Sequence, residues 1–125
     1  MTRKIIPVIL ESPFKGDDWS KTERNIEYAR LCMRDCLMRG EAPYASHLLY
    51  TQHNVLDDKN PEERKLGITA GFAWRYFAKK TVVYTDFGIS SGVEQGVEDS
   101  IEKGIPVEYR KLPQELLKLV LLLFP

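Results

Sequence analysis

Residues 81–87 read TVVYTDF, and the run is apolar on both faces at its start. A strand with one solvated face alternates polar and apolar residues. A continuous apolar run fits a strand covered on both sides, as in parallel sheets whose crossover helices lie on the two faces. The rest of the chain supplies such crossovers. KIIPVILES is a second dense apolar run with β-branched residues, predicting a buried first strand that ends near Glu11. After it, SKTE places Ser20 three residues before Glu23, the spacing of a capping box. Ile26, Ala29, Met33, Cys36 and Leu37 then recur at helical spacing, and Gly40 is a natural helix stop.

A second strand is expected over residues 42–46, then a turn or short helix through Gln52. Asn60 and Pro61 are cap and first position of another helix, expected to run to Lys79. The run at 81–87 is the third strand. SSGVEQGVEDSIEKG follows as a helix, with Val93, Val97 and Ile101 on one face and Gly104 as its stop. IPVEYRKL gives a fourth strand and PQELLKLVLLLF a last helix. Strict alternation of strand and helix predicts a single α/β domain over residues 1–125. Its form is three-layer and Rossmann-like, with a mostly parallel sheet of about four to five strands.

Composition narrows the partners. Lys plus Arg and Asp plus Glu are 18 each, so no net field draws in nucleic acid or an anionic membrane. Cys32 and Cys36 share one face of the first helix and read as small core residues. No metal-ligand spacing is present, and neither a metal nor a cofactor is expected. The first apolar run, residues 5–10, is short and contains Pro7, which argues against a signal peptide. The C-terminal run is too short to span a bilayer. A cytoplasmic protein is expected. That C-terminal helix is apolar nearly all round, which predicts a homo-oligomer covering its outer face.

In parallel α/β sheets, ligands bind beyond the carboxyl ends of the strands. Three such ends carry candidates. ESPFKGD after the first strand offers Glu11, Ser12, Lys15 and Gly16 for a ribose or phosphate. It lacks the GxxxxGK[ST] pattern of a P-loop. After the second strand come His47 and Tyr50, suited to hydrogen bonding or base stacking, whereas His53 reads as a surface residue. After the third, DFG matches the kinase triplet without the other kinase motifs. There Ser90, Ser91 and Gly92 open a helix whose free N–H groups attract an anion. Asp86 stands at the strand end, and Glu94 and Glu98 lie one turn apart on the helix. These three are the candidate catalytic carboxylates. Trp19 and Trp74 read as packing residues.

ESPFKGD and SSGVEQGVE, followed by GIPVEYR, resemble the nucleoside 2-deoxyribosyltransferase-like proteins. Residues 42–76 resemble small bacterial and phage members of that superfamily, and the resemblance covers roughly residues 5–112. It implies a nucleoside or nucleotide ligand and an enzyme that hydrolyses or transfers across the N-glycosidic bond. It also implies a glutamate at the anomeric carbon, on the helix after Ser-x-Gly, and an oligomer. The register places Gly96 where that glutamate is expected and Glu94 where a glycine is expected. The resemblance therefore carries the binding architecture further than the catalysis, with Glu94 or Glu98 as substitutes. A non-catalytic pocket for a nucleotide-derived ligand is the alternative. A plain oligomeric interaction protein is the third reading.

Overall fold

The computed structural model describes residues 4–125. Its strands are β1 (Ile6–Glu11), β2 (Glu41–Tyr44), β3 (Lys80–Tyr84) and β4 (Val107–Arg110). Its helices are α1 (Trp19–Met38), α2 (Ser46–Leu49), α3 (Pro61–Trp74), α4 (Ser91–Glu102) and α5 (Gln114–Leu123), with a 3-10 turn at Arg75–Phe77. The sheet is all parallel in the order β2-β1-β3-β4. This is the expected Rossmann-like α/β fold. The chain leaves β1 in one direction to make β2, then crosses back to place β3 on β1's other side. The adjacent carboxyl ends of β1 and β3 therefore form a switch point, where α/β folds leave a crevice.

Side-chain alternation along the strands assigns the two layers. Val8 and Leu10 of β1, with Val82 and Tyr84 of β3, join Tyr28, Cys32 and Cys36 of α1 and Val120 of α5 in one buried cluster. Both cysteines are free and buried, as small core residues. Burial pushes the Cys36 thiol up to about 11, so it stays protonated near neutrality. The alternate residues of these strands, Glu11 and Thr81 among them, face the other layer and meet Arg75 just beyond α3. That period of two delivers a carboxylate to the α4 side of the sheet.

Element boundaries differ from expectation, at α1, α3 and β2 among others. Asp18, not Ser20, caps α1, its carboxylate accepting from Lys21 N–H at 2.8 Å. Helix α3 starts at Pro61 behind the Asn60 cap as expected but stops at Trp74 rather than Lys79. A single 3-10 turn follows, and Lys79 N–H is then drawn into the sheet by the carbonyl of Pro7 at 2.8 Å. Strand β2 runs over Glu41–Tyr44, because Ala45 already serves as N-cap of α2. Gly40 and Gly104 end α1 and α4 with φ of 86° and 70°, as glycine stops do.

Trp19 is 71% exposed and packs into no core. Trp74 is half exposed, tilted against Tyr44 and donating to Tyr50 Oη at 3.2 Å. On α5, Val120 is fully buried while Leu119, Leu121, Leu122 and Leu123 are exposed. No described helix is long and apolar enough to cross a membrane.

Candidate functional site

A cleft of about 270 Å³ opens at the carboxyl edge of the sheet. Three strand-end segments and α3 form its walls. The first wall follows β1. Ser12 Oγ lies 2.8 Å from His47 Nε2, and Phe14 meets the same imidazole edge-on at 6.4 Å between ring centres. Asn25 of α1 holds the loop by donating to the carbonyl of Phe14 at 3.0 Å. Lys15 reaches the cleft from this loop. Gly16 does not. Its N–H donates to Thr22 Oγ1 at 3.0 Å, tying the loop to the start of α1.

The second wall is α2. Burial pulls the His47 imidazole down to about 4, so it is neutral near pH 7 and can accept from or donate to Ser12. Tyr50 Oη is a junction: it accepts from the Trp74 indole at 3.2 Å and shares a hydrogen bond with Tyr44 Oη.

The third wall is the start of α4. Ser90 caps the helix, its Oγ accepting from Val93 N–H at 3.3 Å. Ser91 and Gly92 occupy the first turn, where backbone N–H groups have no intrahelical acceptor. A guanidinium stands beside them. Arg64 of α3 comes within 4.0 Å of the place a Cβ on Gly92 would take, and its other nitrogen pairs with Asp58 at 2.9 Å. Lys15, Arg64 and the α4 terminus bring cationic and N–H groups to the cleft, whose lining also holds Glu11, Asp58 and Glu63.

Glu11 lies in the cleft wall at the end of β1. Its Oε2 accepts from Arg75 at 2.7 Å. Arg75 is 1% exposed and also binds Asp99 at 2.8 Å and Thr81 Oγ1 at 2.7 Å. Burial pushes the Glu11 carboxyl above the usual range, and the nearby Arg75 offsets only part of that.

Glu11, Ser12, Lys15, His47, Tyr50, Ser90, Ser91 and Gly92 thus converge on one cleft. The structure does not bring the three candidate catalytic carboxylates there. Glu94 and Glu98 are exposed on α4, outside the cleft wall. Asp86 faces the opposite layer, where it accepts from Tyr28 Oη at 2.6 Å and from Leu112 N–H at 2.9 Å. It clasps α1 to the segment before α5. Sequence reasoning missed Asp58, Arg64, Ile68 and Phe72, which reach the cleft from α3 and the turn before it. For Arg64, Ile68 and Phe72 the only prior signal was helical spacing, which shows that residues share a face but not what that face meets. Among the described residues, no cluster of three or more His, Cys, Asp or Glu could hold a metal ion.

A parallel α/β domain with a cleft at its switch point belongs to the broad class of Rossmann-like folds. Within it, residues 6–110 match the family described as Domain of unknown function (DUF7768), and the chain belongs to that family. No curated protein matches the chain. Among solved structures, the 2-deoxyribosyltransferase of the psychrotolerant bacterium Bacillus psychrosaccharolyticus is similar, with a TM-score of 0.58 and 18% identity. The match covers 84% of this chain and 72% of that one. At that identity the likeness is one of fold.

Proposed function

We propose that the protein binds a nucleoside or 5′-nucleotide in this cleft and acts on its N-glycosidic bond, by hydrolysis or by transfer of a deoxyribosyl group. The observation that carries the reading is the mixed lining of the cleft. Phe14, Ile68 and Phe72 give apolar surface for a base, and Ser12 and His47 give neutral hydrogen-bonding groups for a sugar. Lys15, Arg64 and the α4 terminus suit a 5′-phosphate. Fold likeness to a 2-deoxyribosyltransferase supports the same ligand class. The second reading, a pocket that captures a nucleotide-derived ligand without turning it over, is favoured by Gly96, which stands where the resemblance calls for glutamate.

A panel of nucleosides and 5′-nucleotides separates the two. Release of free base supports the enzyme, and a thermal shift without release supports the binder. Neither response would remove the nucleotide reading altogether. Within the panel, Lys15→Ala is expected to weaken a 5′-nucleotide roughly tenfold and leave the matching nucleoside nearly unchanged. Equal losses would show that Lys15 does not read phosphate. The reading extends to a homo-oligomer formed through the exposed leucines of α5. A monomer mass by light scattering at micromolar protein would end that part of it.

A further inference from the structure

Gly96 is a buried position in the middle of α4. A Cβ built on it would lie 2.0 Å from Glu11 Oε2 and 2.5 Å from Glu11 Cδ. The Glu11 carboxyl group thus stands in the space a side chain at position 96 would enter. The helix gives up a side chain, and β1 sends a carboxylate into the opening.

We propose that Glu11 is the reacting carboxylate of this site, supplied by the strand through the opening at Gly96 instead of by helix α4. The inference rests on the N-glycosidic reading and assigns its catalytic group. Three observations carry it. First, one oxygen of Glu11 is fixed and the other is uncommitted. Oε2 is held by the buried Arg75, while Oε1 has no hydrogen-bond partner among the described residues. Second, the side chain is 15% exposed in the wall of the cleft, beside Ser12. Third, Glu11 stands at a strand end, whereas the other carboxylates of the cleft, Asp58 and Glu63, stand on the turn before α3 and on its first turn. A carboxylate fixed at one oxygen on a rigid strand end is poised for attack with little reorganisation.

The step balances as follows. Oε1 of the ionised carboxylate bonds to the anomeric carbon while the carbon–nitrogen bond to the base breaks. The base leaves with that electron pair and takes a proton from water. A water molecule or a second base then attacks the anomeric carbon. The ester carbon–oxygen bond breaks, Glu11 recovers its electron pair, and the surplus proton goes to solvent. Arg75 stays charged and hydrogen-bonded to Oε2 throughout. This is the retaining, double-displacement logic of glycoside hydrolysis.

The test uses the panel substrate that the wild type turns over fastest. Glu11→Gln keeps an oxygen for Arg75 to donate to, and Asp99 still compensates the guanidinium. The variant is expected to fold and bind with an unchanged thermal shift, and to lose base release by about a hundredfold or more. Separately, wild type is incubated with the 2-deoxy-2-fluoroarabinosyl analogue of that substrate, whose fluorine slows breakdown of a glycosyl ester, and is then digested with trypsin. The added mass is expected on the peptide 5–15, which carries Glu11. Base release by Glu11→Gln within about threefold of wild type, or an adduct on the peptide 81–103 that carries Glu94 and Glu98, would overturn the assignment and leave the N-glycosidic reading standing. No base release by wild type with any member of the panel would overturn both.

Discussion

Arg110→Met is expected to cost about 3–5 kcal/mol of stability, the cost typical of removing one partner of a buried ion pair. At this chain length that is a fall in Tm of roughly 10–20 °C. Arg110 closes β4, and its guanidinium meets Glu41 of β2 with both terminal nitrogens, one at 2.7 Å. The two strands are the opposite edges of the sheet. The side chains of the pair are 4% and 6% exposed. Burial alone would raise the Glu41 carboxyl, but hydrogen bonds and charge from Arg110, with Lys80 in support, bring it below the ordinary value. Without Arg110 the carboxylate keeps only Lys80, at 3.2 Å and partly solvated.

The sign with pH follows. A lowered folded pKa contributes stability that is present above the unfolded value near 4.5 and is lost as pH falls through the folded value. Wild type should therefore lose this contribution on acidification. In the variant Glu41 protonates more readily, so the gap between the two proteins should narrow from pH 7 to pH 3. Urea unfolding at the two pH values measures it. The double variant Arg110→Met with Glu41→Leu should recover to within about 1.5 kcal/mol of wild type, since an apolar pair leaves no orphaned charge. A single variant losing less than about 1 kcal/mol would show that water already reaches Glu41.

Neither this pair nor the Arg75 cluster was legible in the sequence. Arg75 falls in a stretch with Arg64, Lys65 and Lys79 nearby, and such residues read as a solvated face. Its burial is set by contacts with Glu11, Thr81 and Asp99, which come from three other elements. What could be read was local. The runs around Val8 and Val82 specify covered strands, Asn60 and Ser90 sit at caps that their side chains fill, and Gly40 and Gly104 stop helices. The cleft's strand-end residues were legible for a topological reason: once a parallel sheet is accepted, the segments after β1, β2 and β3 must gather at one edge. The contribution of α3 was not, because its rotation about its axis is fixed only by packing. Asp86 shows the converse limit. A strand-end position placed it near the right edge, but the loop turned its carboxylate to Tyr28 on the other layer.

Gly96→Ala tests the packing beneath the cleft, and here two effects of opposite sign compete. In an ordinary helix interior the change gains about 0.5–1 kcal/mol, because alanine has less backbone freedom to lose. At position 96 the new methyl would come within 2.0 Å of Glu11 Oε2, so the carboxyl group must move. Glu11 is the end of a flexible side chain, which on its own would make the movement cheap. It is not free, however, because Arg75 holds it at 2.7 Å and is itself held by Asp99 and Thr81. Moving Glu11 therefore strips a buried guanidinium of one carboxylate. A net loss of about 2–4 kcal/mol is expected, the range for disturbing a buried charge pair less the helix gain. Combining Gly96→Ala with Glu11→Ala removes the collision and leaves Asp99 on Arg75. The double variant should therefore be more stable than the sum of the two single losses predicts, by about 1–2 kcal/mol. Chemical denaturation of the four proteins gives that coupling directly. If Gly96→Ala proves more stable than wild type, Glu11 has somewhere else to go, and β1 and α4 are not locked together through its carboxyl group.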